Sequence, residues 1–304
     1  MNRTVLRKKT SFSSRMITVI LIALCIVWSL PTIGILVTSF RTKDAVAASG
    51  WWQAFKTPNA FTLDNYAQVL FGQRHKVAGA ETGVVVTRGA TMFNSFLSSI
   101  AVTLPSVVIP IFIAAAAAYG FAWLRFRGRK TLFAAIIALL VVPLQISLIP
   151  ILRDYQKLGL NGTYLGIWLA HTGFGLPLAT YILFNYISTI PRSILESAFI
   201  DGSNHFDCFF KLIIPLSVPA LASFAIFQFI WVWNDLLVAL VFLSGGAQKM
   251  QVVTVRLMNM AGTLGADWHL LTAGAFVSMA LPLAVFLSLQ RYFVRGLLSG
   301  SVKG

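Results

Sequence analysis

Residues 190–219 form a charge-bearing interruption between two long apolar segments, and they include the carboxylate of Glu196. Pro191 suits the first turn of a helix, because its missing N–H costs nothing there, and residues 193–198 are a good helix-forming run. Gly202 can adopt the positive φ that a tight turn between two helices often needs. These residue types at this spacing predict a short helix, a turn and a second short helix, lying together at a membrane surface.

Side chains that could catalyse a reaction or bind a metal are few and poorly arranged. Neither His171 nor His269 has an acid at an H-E-x-x-H-like spacing, and no G-x-S-x-G segment occurs. Cys25 and Cys208 fall in different environments, so a mutual disulfide is not expected and no metal spacing exists. His171 lies inside an apolar segment, where a functional role and a hydrogen bond between helices both stay open. The sequence therefore indicates neither an enzyme nor a metal site.

The composition is that of a membrane protein. Hydrophobic residues make up 57% of the chain and charged residues 11%, and the mean hydropathy is +0.79. Soluble globular domains are about 25% charged. The formal net charge of +15 is explained by Lys and Arg residues that flank membrane spans and face anionic lipid. No nucleic-acid motif accompanies this charge, so a nucleic-acid partner is not expected.

Six apolar segments are long enough to cross a bilayer, which takes about 20 residues per helix. They are predicted at 16–40, within 94–124, and at about 132–152, 164–187, 216–243 and 270–289. A cleaved signal peptide has an apolar core of only about 7–15 residues, so the first segment is predicted to remain as a span. Prolines inside most of the later spans predict bent helices. The fold class is therefore all-α integral membrane, with six transmembrane helices.

The basic residues predict the orientation of these spans. Residues 1–15 carry several basic residues and no acid, and a second basic turn lies at 125–130. The larger share of the 24 Lys and Arg residues falls on the segments assigned to the cytosol, although those segments are shorter in total. The positive-inside rule therefore places both termini and the polar loop 188–215 in the cytosol.

These observations divide the chain into five regions. They are a basic cytosolic N-terminus at 1–15, a first span at 16–40, an extracytoplasmic segment at 41–90, a core at 91–291 with spans two to six and the loop 188–215, and a cytosolic tail at 292–304. In the extracytoplasmic segment, Trp51 and Trp52 are predicted to anchor at the membrane interface.

The polar loop resembles a known signature. Glu196-Ser197-Ala198, Asp201-Gly202, Leu212, Ile214 and Pro215 resemble the "EAA" signature of ABC-importer permeases. The sequence departs from it at Ser197, and at Leu212 and Ile214, where size and polarity stay close. In that family this loop is the coupling helix that docks into a cleft of a cytosolic ATPase. The resemblance implies that role here for Glu196, Ser197, Ala198, Asp201, Gly202 and Pro215.

Other segments resemble the carbohydrate-uptake branch of the same permeases. Residues 117–128, the triplet Trp233-Asn234-Asp235 and the tail 294–304 are similar to the maltose permease G subunit and its relatives. Residues 161–166 and 290–296 most resemble the α-glucoside branch. The resemblance implies a type I ABC-importer permease fold in a prokaryotic cytoplasmic (inner) membrane, forming half of the pathway for an α-glucoside or similar oligosaccharide.

The same resemblance implies the partners. They are a second permease subunit that is a distinct chain, two copies of an ABC ATPase, an extracytoplasmic sugar-binding protein and membrane lipid. The sequence contains no G-x-x-x-x-G-K-[ST] segment with which to hold a nucleotide phosphate. We therefore expect this chain to bind no cofactor, and ATP and Mg²⁺ to be used by the partner ATPase.

Two further sets of residues are assigned from this resemblance. Gly300, Lys303 and Gly304 of the tail are expected to reach the ATPase. Trp231, Trp233, Asn234 and Asp235 are expected to line the substrate pathway, because aromatic faces stack on sugar rings while amides and carboxylates pair with hydroxyls. Alternatively, Asn234 and Asp235 lock the helix bundle, or the partner subunit holds the sugar.

An ion-coupled secondary transporter is the alternative function. Such carriers usually have repeated architectures and paired intramembrane acids. Here only Asp235 is a plausible intramembrane acid, and no inverted repetition is visible among the six spans. The alternative therefore fits the sequence less well than an ABC permease does.

Overall fold

The computed structural model describes residues 12–56, 60–72, 91–246, 250–261 and 267–299. Regular structure in these ranges is helical, apart from one isolated antiparallel bridge between Arg41 and Phe61. The all-α prediction is therefore confirmed. The chain separates into two compact units, one made of residues up to 69 together with 261–276, and one made of 70–260 together with residues from 277 onward.

The helices follow one another along the chain in three groups. The N-terminal ones are α1 (Phe12–Ser39), α2 (Lys43–Ala48), a 3-10 helix at Trp51–Lys56 and α3 (Asp64–Phe71). The central ones are α4 (Met92–Trp123), α5 (Arg129–Ala138), a 3-10 turn at Leu139–Val141, α6 (Leu144–Lys157), α7 (Tyr164–Ile187), α8 (Arg192–Ile200), α9 (His205–Cys208), a π-helical segment at Phe209–Ile213 and α10 (Ile214–Leu216). The last are α11 (Val218–Trp233), α12 (Leu237–Phe242), α13 (Val253–Ala261) and α14 (Trp268–Ser299).

Four helices are long and apolar enough to cross a membrane by themselves: Arg15–Ser39, Met92–Trp123, Tyr164–Ile187 and Trp268–Arg291. The number reaches six if each of two sharply bent helix pairs is counted as one span. The predicted fourth span coincides with α7 at both ends. Prolines 105, 110, 177 and 282 lie inside α4, α7 and α14, which run on through them.

The predicted third span, 132–152, is a sharply bent helix pair and not one continuous helix. The chain bends by 104° between Arg129–Val141 and Leu144–Lys157. Val142 has extended backbone angles, because the ring of the following Pro143 disfavours the helical conformation at that position. The second arm also runs on to Lys157, so Arg153 and Asp154, which lie beyond the predicted end of the span, belong to α6.

The predicted fifth span, 216–243, is also interrupted. A bend of 71° separates His205–Leu216 from Val218–Trp233, and the chain leaves the helix again at Asn234 before α12 begins. The stretch between the predicted fifth and sixth spans contains α13. These breaks leave backbone groups that other parts of the chain must satisfy inside a membrane.

The core of the second unit has two clusters of buried side chains. The first joins the C-terminal halves of α4 and α7 to α8, the π-helical segment and the start of α11; the second joins the N-terminal halves of α4 and α7 to α6, the end of α11 and α12. Between them, Gln228 Nε2 donates to the carbonyl of Ser106 at 3.2 Å. A Cβ at Gly175 would lie 2.7 Å from Gln228 Nε2, so glycine permits this close approach of α7 to α11.

In the first unit, residues after α1 fold into a compact lobe around a buried arginine. Arg41 is only 1% exposed, and its guanidinium donates to the carbonyls of Ser49 at 2.8 Å and Ala45 at 2.6 Å. Asn65 Nδ2 donates to the carbonyls of Ser39 and Arg41. Short helices therefore occupy this part of the predicted segment 41–90; its residues 57–59 and 73–90 lie outside the described residues.

Candidate functional site

The predicted helix–turn–helix is present, and we call residues 188–215 the coupling element. Pro191 stands directly before α8, one position earlier than in the predicted first turn. After α8 the chain reverses at Gly202, whose φ of 85° lies in the left-handed region that glycine adopts without strain. Ser203 N donates to the carbonyl of Ala198 at 2.9 Å and Gly202 N donates to that of Phe199 at 3.1 Å. This pair of bonds is a Schellman motif, which ends α8 at a fixed place.

Buried side chains hold the coupling element on the bundle. Leu195 in the middle of α8 is 1% exposed and belongs to the first core cluster, together with Ile190. Phe209 and Ile213 enter the same cluster from the π-helical segment. Because anchors on both sides of the turn reach one core, the element is positioned by packing and not only by its own backbone.

A hydrogen bond ties the turn to a membrane helix. The hydroxyl of Tyr119, near the end of α4, lies 2.8 Å from Nδ1 of His205, the first residue of α9. The imidazole also packs edge-on against Phe199 of α8, with ring centroids 5.0 Å apart. Sequence reasoning missed this pair, because the two residues are 86 positions apart and neither belongs to a local motif.

The opposite face of the coupling element is exposed and partly apolar. Ile200 is 85% exposed and Phe206 is 71% exposed, and they lie on either side of the turn. Five of the six residues predicted to dock, namely Glu196, Ser197, Asp201, Gly202 and Pro215, are exposed, while Ala198 is partly buried. Large apolar side chains rimmed by polar ones are typical of a surface that contacts a protein partner or a membrane.

The residues predicted to line the substrate pathway lie around the interruption of the helix after α11. One cavity of about 590 Å³ is lined by Trp231, Asn234 and Asp235 together with apolar side chains that include Phe227 and Phe286. Trp231 also lines a second cavity of about 590 Å³, which lies at the break between α5 and α6. Cavities of this size accommodate a small ligand.

The four predicted pathway residues do not have equal access to these cavities. Trp231 is partly exposed, and its ring packs edge-on against that of His171, with centroids 5.7 Å apart. Asn234 is exposed, and its Nδ2 donates to the carbonyl of Ile230 at 2.8 Å. Trp233 is only 2% exposed, and its Nε1 donates to the carbonyl of Ser278 at 3.0 Å.

Asp235 forms hydrogen bonds within the protein. Its carboxylate accepts hydrogen bonds from the backbone N–H groups of Val238 at 3.4 Å and Ala239 at 3.0 Å, in the first turn of α12. Its carbonyl accepts a hydrogen bond from Thr254 Oγ1 at 2.6 Å. Asp235 therefore starts the helix that follows the break and attaches the segment around α13 to it.

His171, for which the sequence leaves two roles open, lies beside Trp231. It is 1% exposed, and its Nδ1 has no hydrogen-bond partner among the described residues. A buried polar atom without a partner is uncommon and costs free energy. The predicted tail residues Gly300, Lys303 and Gly304 lie outside the described residues.

Broken membrane helices around open cavities, joined to a compact helix–turn–helix with an exposed apolar face, are features expected of a membrane permease that works with another protein. Residues 90–299 match the family described as "Binding-protein-dependent transport system inner membrane component", and the chain belongs to this family. It is therefore a multi-pass inner-membrane component of ABC import systems, and the alternative of an ion-coupled secondary transporter is excluded.

Two curated relatives are similar along nearly their whole length. The osmoprotective compounds uptake permease protein GgtD of Synechocystis sp. is 49% identical, covering 97% of this chain and 95% of the relative. The alpha-glucoside transport system permease protein AglG of Rhizobium meliloti is 43% identical, covering 92% of this chain and 95% of the relative. These relatives confirm the predicted membership of the sugar-permease group.

A solved structure has the same fold. A chain of a bacterial alginate ABC transporter, crystallised in complex with an alginate pentasaccharide-bound periplasmic protein, aligns with a TM-score of 0.60. The alignment covers 90% of this chain and 92% of that chain, at 12% sequence identity. The predicted permease fold is therefore confirmed.

Proposed function

We propose that this chain forms half of the pathway of an importer for an α-glucoside or a similar oligosaccharide. A second permease subunit, which is a distinct chain, forms the other half, and an extracytoplasmic sugar-binding protein delivers the cargo. The relative named for alpha-glucoside transport supports this cargo class. The relative named for osmoprotective compounds is compatible with it, because small uncharged sugars are soluble enough to accumulate as osmotic solutes.

The coupling element is the proposed docking site for the ATPase. The observation that carries this proposal is the contrast within α8 between Leu195, 1% exposed on the core side, and Ile200, 85% exposed on the other. A short helix with a fixed anchor and a free apolar end can transmit a displacement from a partner to the bundle. Two ATPase copies, one for each permease subunit, would use ATP and Mg²⁺, and this chain would bind neither.

The orientation follows from charge. With the positive-inside rule, the coupling element, both termini and the basic turn 125–130 face the cytosol, where the ATPase is found. The loop at 158–163 and the segment around α13 then lie outside, where the binding protein arrives. Gly300, Lys303 and Gly304 are proposed as a second contact with the ATPase.

The break after α11 is proposed as the part of the pathway that this chain contributes. Trp231, Asn234 and Asp235 line the cavity there, and Trp231 and Asn234 offer an aromatic face and an amide to a sugar. Trp233 and Asp235 support them, since both are engaged in hydrogen bonds to other helices or to the following helix.

Uptake of radiolabelled α-glucosides tests the proposal. Cells expressing this chain with its partner subunits should accumulate label, and unlabelled trehalose, sucrose and maltose should compete according to their affinity. A substitution at the nucleotide site of the ATPase partner should abolish uptake. Uptake that survives that substitution would contradict the proposed coupling to the ATPase. Uptake that unlabelled α-glucosides do not inhibit would contradict the proposed cargo.

A further inference from the structure

A basic crevice lies between the turn that follows α4 and the first helix of the coupling element. Its volume is about 710 Å³, and it is open to solvent on one side. Its charged lining residues are four cations and one acid: Arg125, Arg129, Lys130, Arg192 and Glu196. None of the four cations forms an ion pair with an acid in the described part of the chain. The crevice therefore has a surplus of positive charge that the protein itself does not neutralise.

The same crevice offers uncharged hydrogen-bond donors. Trp123 lines it, and the indole Nε1 of Trp123 is buried without a partner among the described residues. Gly128, with a φ of 84°, stands before α5 and has no side chain to cap that helix. Lys130 and Thr131 in the first turn of α5 line the crevice, so N–H groups without a side-chain cap and the positive end of the helix dipole lie at it. These donors suit a ligand with several acceptor oxygens and a negative charge, such as a phosphate group.

Apolar side chains beside the crevice distinguish a lipid from a soluble phosphate. Leu124 is 36% exposed, Phe126 is 44% exposed and Leu132 is 51% exposed, and they flank the basic residues at the start of a candidate membrane span. Acyl chains could cover these side chains while the headgroup occupies the crevice. A free anion would make no use of them.

We propose that the crevice binds the phosphodiester headgroup of an anionic phospholipid from the cytosolic leaflet. Basic pockets between membrane helices on the cytosolic side bind such headgroups in other proteins. The inference rests on the proposed function, since that places this end of the bundle in the cytosol. Arg192 belongs to α8 and Arg129 to α5, so a bound headgroup bridges the coupling element to a membrane span. Anionic lipid is then a ligand of the coupling machinery.

The test measures lipid retained by the purified complex. The transporter is reconstituted in nanodiscs of phosphatidylcholine with phosphatidylglycerol, extracted into detergent, and analysed by native mass spectrometry for bound phosphatidylglycerol. Arg129→Gln and Arg192→Gln should each lower the affinity for phosphatidylglycerol about fivefold. Arg127→Gln is the matched control, since Arg127 lies in the same basic turn but does not line the crevice. It should retain lipid as the wild type does.

Three results would overturn the proposal. Equal loss of lipid from Arg127→Gln would mean diffuse electrostatic attraction and no site. Displacement of phosphatidylglycerol by inorganic phosphate or glycerol phosphate would make it a site for a soluble anion. Unchanged retention of phosphatidylglycerol by both Arg129→Gln and Arg192→Gln would mean that the crevice does not hold the headgroup. Lipid retention does not require transport, so failure of sugar uptake with normal lipid retention would count against the proposed function alone.

Discussion

The hydroxyl of Tyr119 and Nδ1 of His205 lie 2.8 Å apart and connect the end of α4 to the turn of the coupling element. Tyr119 belongs to the first core cluster, whereas His205 is exposed, so the bond links a buried membrane helix to a surface segment. A force applied to the turn can reach α4 through this bond. The coupling element is therefore joined to the helix bundle by this hydrogen bond as well as by the packing of Leu195.

Tyr119→Phe should loosen this connection. The substitution keeps the aromatic packing, 5.5 Å between ring centroids, against Phe209 and removes only the hydroxyl. We expect fewer sugar molecules transported per ATP hydrolysed, at about a 0.5–1.5 kcal/mol cost in stability. The measurement is the ratio of uptake to ATP hydrolysis in proteoliposomes. Tyr186→Phe is the control, since its hydroxyl donates to the carbonyl of Leu216 at an exposed position; an equal fall in both variants would argue against a special role.

Gly202→Val should weaken the ATPase contact. A β-branched residue at a φ of 85° costs about 1–2 kcal/mol, so the turn that ends α8 would open and move the docking surface. Gly173→Ala is the matched control, because its added Cβ would meet no atom within 4 Å beyond its chain neighbours and its own helix backbone, and its φ is not positive. The measurement is the amount of ATPase that co-purifies with the permease. Normal co-purification of Gly202→Val would contradict the proposed role of the turn.

The two tryptophans at the end of α11 should behave differently. Trp231→Ala removes an aromatic face from the cavity and should raise the KM for sugar uptake; it should also lower thermal stability, because the ring packs against His171 and the second core cluster. Trp233→Phe leaves the carbonyl of Ser278 without its donor, and should cost about 1–3 kcal/mol of stability while leaving the KM unchanged. Uptake kinetics and thermal unfolding of both variants separate these outcomes. A KM effect in Trp233→Phe alone would reverse the assignment.

Asp235→Ala should destabilise the region after the break. The first turn of α12 would lose the acceptor for two backbone N–H groups, at a cost of about 0.5–2 kcal/mol. Asp235→Asn keeps one acceptor oxygen and should recover part of that loss. Hydrogen exchange of α12 in the two variants is the measurement. If both variants exchange as the wild type does while uptake fails, the carboxylate acts on substrate and not on the helix.

Much of this fold can be predicted from the sequence, because the length of an apolar segment and the residues that form a turn are local features of the chain. Residues 164–187 form one helix as predicted, and Gly202, the one glycine in residues 190–219, is the turn as predicted. The breaks are not predictable in the same way. Pro177 lies inside an unbroken helix, whereas Pro143 ends one, and the difference depends on packing around each proline.

The sites depend on contacts between distant residues, so the sequence indicates only parts of them. In the sequence, the charge of the basic turn at 125–130 indicates only how the chain is oriented in the membrane. The crevice that this turn forms with Arg192 exists only in the folded chain. The residue type of Asp235 suggests contact with substrate, and its bonds to the start of α12 become visible only once the break is known. The predicted roles of Trp231 and Asn234 stay predictions.

The affinity of the purified ATPase subunit for the permease in nanodiscs tests docking at the coupling element most directly. Ile200→Asp places a charge in the proposed apolar contact and should weaken binding strongly, since Ile200 is 85% exposed and packs little against the chain itself. Leu158→Asp is the matched control, at 70% exposure in the loop assigned to the opposite side of the membrane. Loss of binding in Ile200→Asp with normal binding in Leu158→Asp is the predicted result. Equal binding of the ATPase to both variants would contradict docking at the coupling element.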